Sequence, residues 1–386
     1  MSSGGNTTVA RSFHGLHRWL QRAPILLMSL SLVPVPAVAQ TQPWWSYLPG
    51  ASSLPGTTPP TTGTSAGTSA ATLLAAYNVA PGGVTVAGLS SGGFMAVQLQ
   101  VAYSQSIFGT AVFAGGPYYC AQGSIVSALG YCEKGSGIPL QTLVDYTNAQ
   151  AASGKIDPTS HLANKPIYML SGTADTTVKQ GVMDTLKQYY ERYTDPIHIV
   201  YNNNTPAAHG WISPDGTVAC GSSTTPYINN CGGMDAEQTF LTNFYGSLNA
   251  KNTGTLTGSL IKFDQNEFAN GNAKSYSMDS AGWLFVPQSC SSGQPCRLVI
   301  ALHGCLQHQG VVQQQFVQKS GINEWADTNN IIVLYPQTTP TQSTNPLGCW
   351  DWWGYRSADY ALKSGPQMTA IMSMVAQITS GYTPAK

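Results

Sequence analysis

Charge is what this chain has least of. Only 9% of its 386 residues are Asp, Glu, Lys or Arg, in equal numbers of 17 basic and 17 acidic. A nucleic-acid binder needs a basic face to meet phosphates, so that class of partner is excluded. Long apolar runs are missing too. The longest, Ile25–Val33, is shorter than a membrane span and is followed by Pro34 and Pro36, which excludes a stable membrane anchor. No Cys-x-x-Cys occurs, and no histidine pair at ligand spacing lies beside a cysteine, so no metal site is expected.

The residues that are present describe an exported protein. Arg11, Arg18 and Arg22 precede the short apolar run, and Ala37-Val38-Ala39 offers a small-x-small cleavage pattern. Residues 1–39 therefore read as a signal peptide, and the destination as the extracellular space, with the periplasm as the alternative. Export suits the eight cysteines at 120, 132, 220, 231, 290, 296, 305 and 349, an even count in an oxidising compartment. Cys120/Cys132, Cys220/Cys231 and Cys290/Cys296 are close in sequence, which leaves Cys305 for Cys349. Proximity is the sole argument among about 105 pairings.

Residues 40–73 are rich in Ser, Thr, Pro and Gly and read as a linker or leader. From residue 74 to 386, short apolar strands alternate with helical patterns. The strands are VTVAGL (84–89), TAVFAG (110–115), KPIYMLSG (165–172), IHIVYN (197–202), SMDSAGWLFVP (277–287), CRLVIALHG (296–304) and NIIVLYP (330–336). Helical spacing is read at 94–104, 182–193, 310–329 and 365–382. Such alternation predicts an α/β fold, with a mostly parallel sheet covered by helices on both faces.

The first strand stops at Gly88-Leu89-Ser90-Ser91-Gly92 and a helix follows. Gly-x-Ser-x-Gly in a strand–turn–helix context is a nucleophile elbow: a sharp turn lifts the Ser90 hydroxyl above the sheet edge and aims the helix amides at the same spot. A serine needs a base, and the base an orienter. Asp175 follows the strand IYML, where a helix cap is the competing reading. His209 lies in the small-residue loop NNNTPAAHGW. The chain order Ser90, Asp175, His209 is that of α/β hydrolases.

One feature is out of order. In that fold a His-Gly loop with an oxyanion amide precedes the serine, whereas here LVIALHGC falls at 298–305. Joining the two ends of the chain restores the ordinary sequence of elements, so the chain reads as a circular permutation. The segments Gly88–Ala96, Ser171–Asp175, His209-Gly210-Trp211, Leu302–Cys305 and Cys349-Trp350-Asp351-Trp352-Trp353 give residues 74–386 a resemblance to a known family. The chain resembles the circularly permuted, single-domain extracellular poly(3-hydroxybutyrate) depolymerases.

That resemblance implies a serine esterase acting on poly(3-hydroxybutyrate) or a related short-chain polyhydroxyalkanoate through an acyl-enzyme. Ser90, Asp175 and His209 would be its triad, and the amides of Ser91 and Cys305 its oxyanion hole. It implies no cofactor, a hydrophobic polyester as partner, and a monomer. The rings of Trp350, Trp352, Trp353 and, beside His209, Trp211 suit a cleft wall for an apolar chain equally well as a small aromatic core. A feruloyl or acetyl esterase, or a non-catalytic surface binder on a hydrolase scaffold, are the alternatives.

Overall fold

The computed structural model describes residues 72–384. The expected signal peptide and nearly all of the Ser/Thr/Pro/Gly-rich segment lie outside the described residues. Among the described residues eleven strands are formed: β1 (Val79–Leu89), β2 (Ile107–Phe113), β3 (Ile167–Leu170), β4 (Ile199–Asn202), β5 (Trp211–Ile212), β6 (Val218–Ala219), β7 (Ile228–Asn230), β8 (Ser259–Asp264), β9 (Ala281–Val286), β10 (Cys296–Leu302) and β11 (Ile331–Tyr335). Eight make one sheet in the order β4-β3-β2-β1-β10-β11-β9-β8, and β5-β7-β6 make a second, small one. Pairing is parallel from β4 through to β11; β9 and β8 join antiparallel.

The central pair explains the displaced His-Gly motif. β1 and β10 are neighbours, with Gly88 opposite Leu302, although some two hundred residues separate them. Read from β8 through the chain end and back to β1, sequence order and spatial order agree except for an exchange of β10 with β11. The ends of the described chain also meet. The amide of Tyr77 donates to the Ile378 carbonyl at 2.7 Å, and Gln377 Nε2 to the Leu74 carbonyl at 3.0 Å. This is a circularly permuted α/β-hydrolase fold.

Strands at the sheet centre are buried on both faces, which is why they read as unbroken apolar runs: β11 is buried throughout and β10 at all but one position. Helix α1 (Ser91–Ala102) is buried at every position. It sits behind the elbow, inside the core. The helix expected at 310–329 is in fact three short helices, Gln309–Val312, Gln315–Lys319 and Ile322–Thr328. Gln313 (φ 55) and Gly321 (φ 75) turn left-handed between them and end each in turn. The edge strand β8, in which only Phe263 is buried, was not expected from the sequence. The four disulfides join Cys120–Cys132, Cys220–Cys231, Cys290–Cys296 and Cys305–Cys349. Among the described residues no helix is long and apolar enough to cross a membrane.

Candidate active site

The turn after β1 forces Ser90 to φ 57, ψ −122, a region costly for any residue with a Cβ. It is held there by its amide, which donates to the Phe113 carbonyl at 2.9 Å. Its hydroxyl makes no capping bond to the helix it precedes, so it faces outward. The flanking glycines answer to close approaches. A Cβ on Gly88 would lie 2.1 Å from the Gly92 carbonyl oxygen. One on Gly92 would lie 2.4 Å from the Leu302 and 2.5 Å from the His303 carbonyl oxygens. Backbone atoms cannot yield as a flexible side chain can, so the elbow and β10 close together only over glycine.

Asp175 and His209 come from loops beyond β3 and β4. Asp175 Oδ1 accepts the amides of Thr177 at 2.8 Å and Val178 at 3.0 Å. Its other oxygen, Oδ2, lies 2.8 Å from His209 Nδ1. A carboxylate only accepts, so Nδ1 carries the proton and Nε2 presents its lone pair. The His209 amide donates to Ser223 Oγ at 3.0 Å, and the Ala208 amide to the carbonyl of Cys220, which is bridged to Cys231. Burial pulls the imidazole down, but the Asp175 charge and hydrogen bond, helped by Glu133, outweigh it and leave His209 above its ordinary value.

Ser90 and His209 open onto one narrow cavity of about 70 Å³. Its wall includes Leu89, Phe94, Glu133, Val178, Tyr227, Gly304, Cys305, Leu306, Leu347 and Trp352. The His-Gly loop therefore reaches the serine: a Cβ on Gly304 would touch the Ser90 Cβ at 3.4 Å. His303 itself faces inward. It is fully buried, and burial pulls it down to about 3, so it is neutral. Its Nδ1 donates to the Gly304 carbonyl at 2.7 Å, and Nε2 accepts the Thr338 amide at 3.3 Å. The Gly304 amide donates to Gln307 Oε1 at 2.8 Å, and Gln307 Nε2 donates to the carbonyls of Pro226 and Tyr227. That brace holds two cavity walls together.

The four tryptophans divide. Trp352 lines the cavity and stacks on Phe94 with ring centroids 4.1 Å apart. Trp211 and Trp350 do not line it, which corrects the expectation of a cleft wall. Both are fully buried, and their indole N–H groups have interior acceptors: Glu237 Oε1 and the Ser320 carbonyl for Trp211, the His303 carbonyl for Trp350. Trp353 packs against Trp352 and Tyr355 and likewise stays off the lining. Trp350 instead fastens its segment to the site, because its amide also donates to Ser91 Oγ at 3.3 Å.

Glu133, Gln307, Ser223 and Tyr227 were not found by sequence reasoning. Gln307, Ser223 and Tyr227 reach the site through loops, and Glu133 on a helix of four residues, none of which local periodicity places. Phe94, four residues after Ser90, reads from the sequence as a packing residue; helix geometry turns it toward the same opening.

No protein-family profile matches the chain. It is 50% identical over 302 residues to a poly(3-hydroxybutyrate) depolymerase of Delftia acidovorans, covering 77% of this chain and 60% of that protein. It is 42% identical over 324 residues to a polyhydroxybutyrate depolymerase of Talaromyces funiculosus, covering 80% of this chain and 93% of that protein. The crystal structure of the PHB depolymerase from Penicillium funiculosum superposes with a TM-score of 0.74 at 40% identity, over 81% of this chain and 100% of that one. A serine-to-alanine variant of a PHB depolymerase, complexed with an R3HB trimer, gives the same values. Over nearly the whole length of the Talaromyces protein, and over all of the solved fold, sequence and topology agree: the chain belongs to the poly(3-hydroxybutyrate) depolymerase family.

Proposed function

We propose that this chain is an exported carboxylester hydrolase that cleaves poly(3-hydroxybutyrate) or a related short-chain polyhydroxyalkanoate. The observation that carries the reading is the single cavity onto which Ser90, His209 and the Gly304-Cys305 loop all open. Its mostly apolar wall suits a polyester better than a hydrated polysaccharide. Four disulfides support export to an oxidising compartment.

In this reading His209 Nε2 takes the Ser90 proton as Oγ attacks the ester carbonyl. The oxyanion forms where the Ser91 amide, first in α1, meets the Cys305 amide; the preceding Gly304 amide is already bonded to Gln307. The imidazolium then protonates the departing hydroxyl end of the chain, with the Asp175 carboxylate stabilising its charge. Water enters and attacks the acyl carbon, giving its proton to His209, and the imidazolium returns that proton to Ser90 Oγ as the acid departs. The test is clearing of a poly(3-hydroxybutyrate) suspension, with product sizes measured, by wild type and Ser90→Ala. Clearing by the wild type alone is expected. Clearing by both refutes the nucleophile; clearing by neither, with activity on acetylated or feruloylated xylan, moves the substrate to plant polysaccharide.

A further inference from the structure

One ionisable group in the cavity wall neither attacks nor carries a proton in that chemistry. Glu133 is the sole acidic residue among those lining the cavity. It lies on the four-residue helix Tyr131–Lys134 and is held from two sides. Cys132 beside it is bridged to Cys120, and the Glu133 carbonyl accepts the Lys179 amide at 2.9 Å. The position is therefore built, although a flexible exposed acid would have cost nothing in desolvation. Its side chain is 10% exposed.

Its lysine neighbour is weak. Lys134 Nζ comes to 3.6 Å, but the Lys134 side chain is 53% exposed, and a pair of that kind is largely screened. The field of the carboxylate consequently acts into the cavity, where water is scarce and charges interact strongly. The charges that face it are those of the site. Burial raises the Glu133 carboxyl above its ordinary value; Lys134 and His209 pull it down and Asp175 pushes it up.

We propose that Glu133 is a specificity-determining residue, whose negative charge in the cavity wall disfavours esters carrying an anion near the scissile bond. This rests on the esterase reading above and deepens it. A polyhydroxyalkanoate chain is neutral along its length, with esters throughout, a hydroxyl at one end and an ionised carboxylate at the other. One fixed negative charge beside the reacting serine tells the acid end from every other position. It turns the enzyme toward interior bonds and the hydroxyl end, and it speeds departure of acidic products.

The experiment uses the full chain and three 4-nitrophenyl esters of matched length: one neutral, one ending in a sulfonate, one ending in a trimethylammonium group. Neither charged group titrates in the working range. Each kcat/KM is divided by that of the neutral ester, at low salt, for wild type, Glu133→Gln and Glu133→Asp. The wild type is expected to prefer the cationic over the anionic ester by at least tenfold. Glu133→Gln should lose at least tenfold of that preference, while Glu133→Asp keeps its sign. A wild type that hydrolyses the neutral ester yet ignores charge overturns the assignment of Glu133 alone, whether or not the variants fold. So does a Gln variant with the wild-type ratio. A wild type that hydrolyses none of the three removes the esterase reading and this inference with it.

Discussion

Replacing Asp175 with Asn is the sharpest probe of the site, because the structure dictates how the new amide must sit. Asp175 Oδ1 accepts two backbone amides, at 2.8 Å from Thr177 and 3.0 Å from Val178. An asparagine meets those donors only with its carbonyl oxygen. Its NH₂ is then left on the side where Oδ2 now lies 2.8 Å from His209 Nδ1. A donor there compels Nδ1 to accept, so the ring proton moves to Nε2 and the lone pair that should take the Ser90 proton is gone. With the imidazolium also deprived of its counter-charge, the expected loss in kcat is about 10⁴-fold, or about 5.5 kcal/mol of transition-state stabilisation. The turn bonds survive in the variant, so its unfolding free energy should change by less than about 1 kcal/mol. Asp175→Ala loses those bonds too and should lose stability as well as rate. The assay is kcat on a soluble 4-nitrophenyl ester beside a urea titration. A loss of less than tenfold in a folded Asn variant refutes the assignment of tautomer and base.

Three further outcomes follow from the geometry. The base must be neutral, and His209 is raised above its ordinary value of 6.5 by Asp175 and Glu133 against the opposing effect of burial; the acid limb of the kcat/KM profile should therefore have its midpoint above pH 6.5, and a midpoint below it would contradict the pairing. Asp327 is pushed up by burial but held below its ordinary value by hydrogen bonds from Thr257, Asn252 and Gly258, its carboxylate accepting four of them at 2.7–3.0 Å. Asp327→Ala should cost about 2 kcal/mol in urea denaturation. Because the folded pKa is the depressed one, that contribution is present above about pH 4 and lost as pH falls through the folded value. An effect unchanged at pH 3 would refute it. Removing the Cys305–Cys349 bridge by double alanine substitution opens a loop of 44 residues, which costs about 4 kcal/mol by loop entropy; an unchanged midpoint would show that the Trp350 contacts hold the segment without it.

The sequence carried the elbow and the central strands well, because both are local. A fully buried parallel strand such as Ile331–Tyr335 must be apolar at each position, and the turn at Ser90 needs glycine at fixed offsets. The late His-Gly loop was legible only after joining the chain ends, and the cavity wall that Gly304 shares with Ser90 is what that joining requires. Three disulfides followed from short separations of 12, 11 and 6 residues; the fourth was only what remained. Failures came where a residue's surroundings are assembled from distant segments. Trp211 beside His209 and Trp350 beside Trp352 are indistinguishable in sequence from cavity rings. Their burial depends on acceptors at Glu237, Ser320 and His303, far along the chain. Glu133 was invisible for the same reason, since a disulfide loop delivers it to the wall. The single helix expected over 310–329 failed at Gln313, whose left-handed backbone no residue preference announces.

The central claim is that Ser90, and no other hydroxyl, attacks the ester. Its most direct measurement is reaction of the full chain with a fluorophosphonate, followed by mass spectrometry of the digested protein. One adduct per chain is expected, on the peptide containing Ser90, with esterase activity lost in step with labelling and labelling abolished in His209→Ala. A chain that hydrolyses esters while Ser90 stays unlabelled, or that takes its label on another residue, would contradict the account.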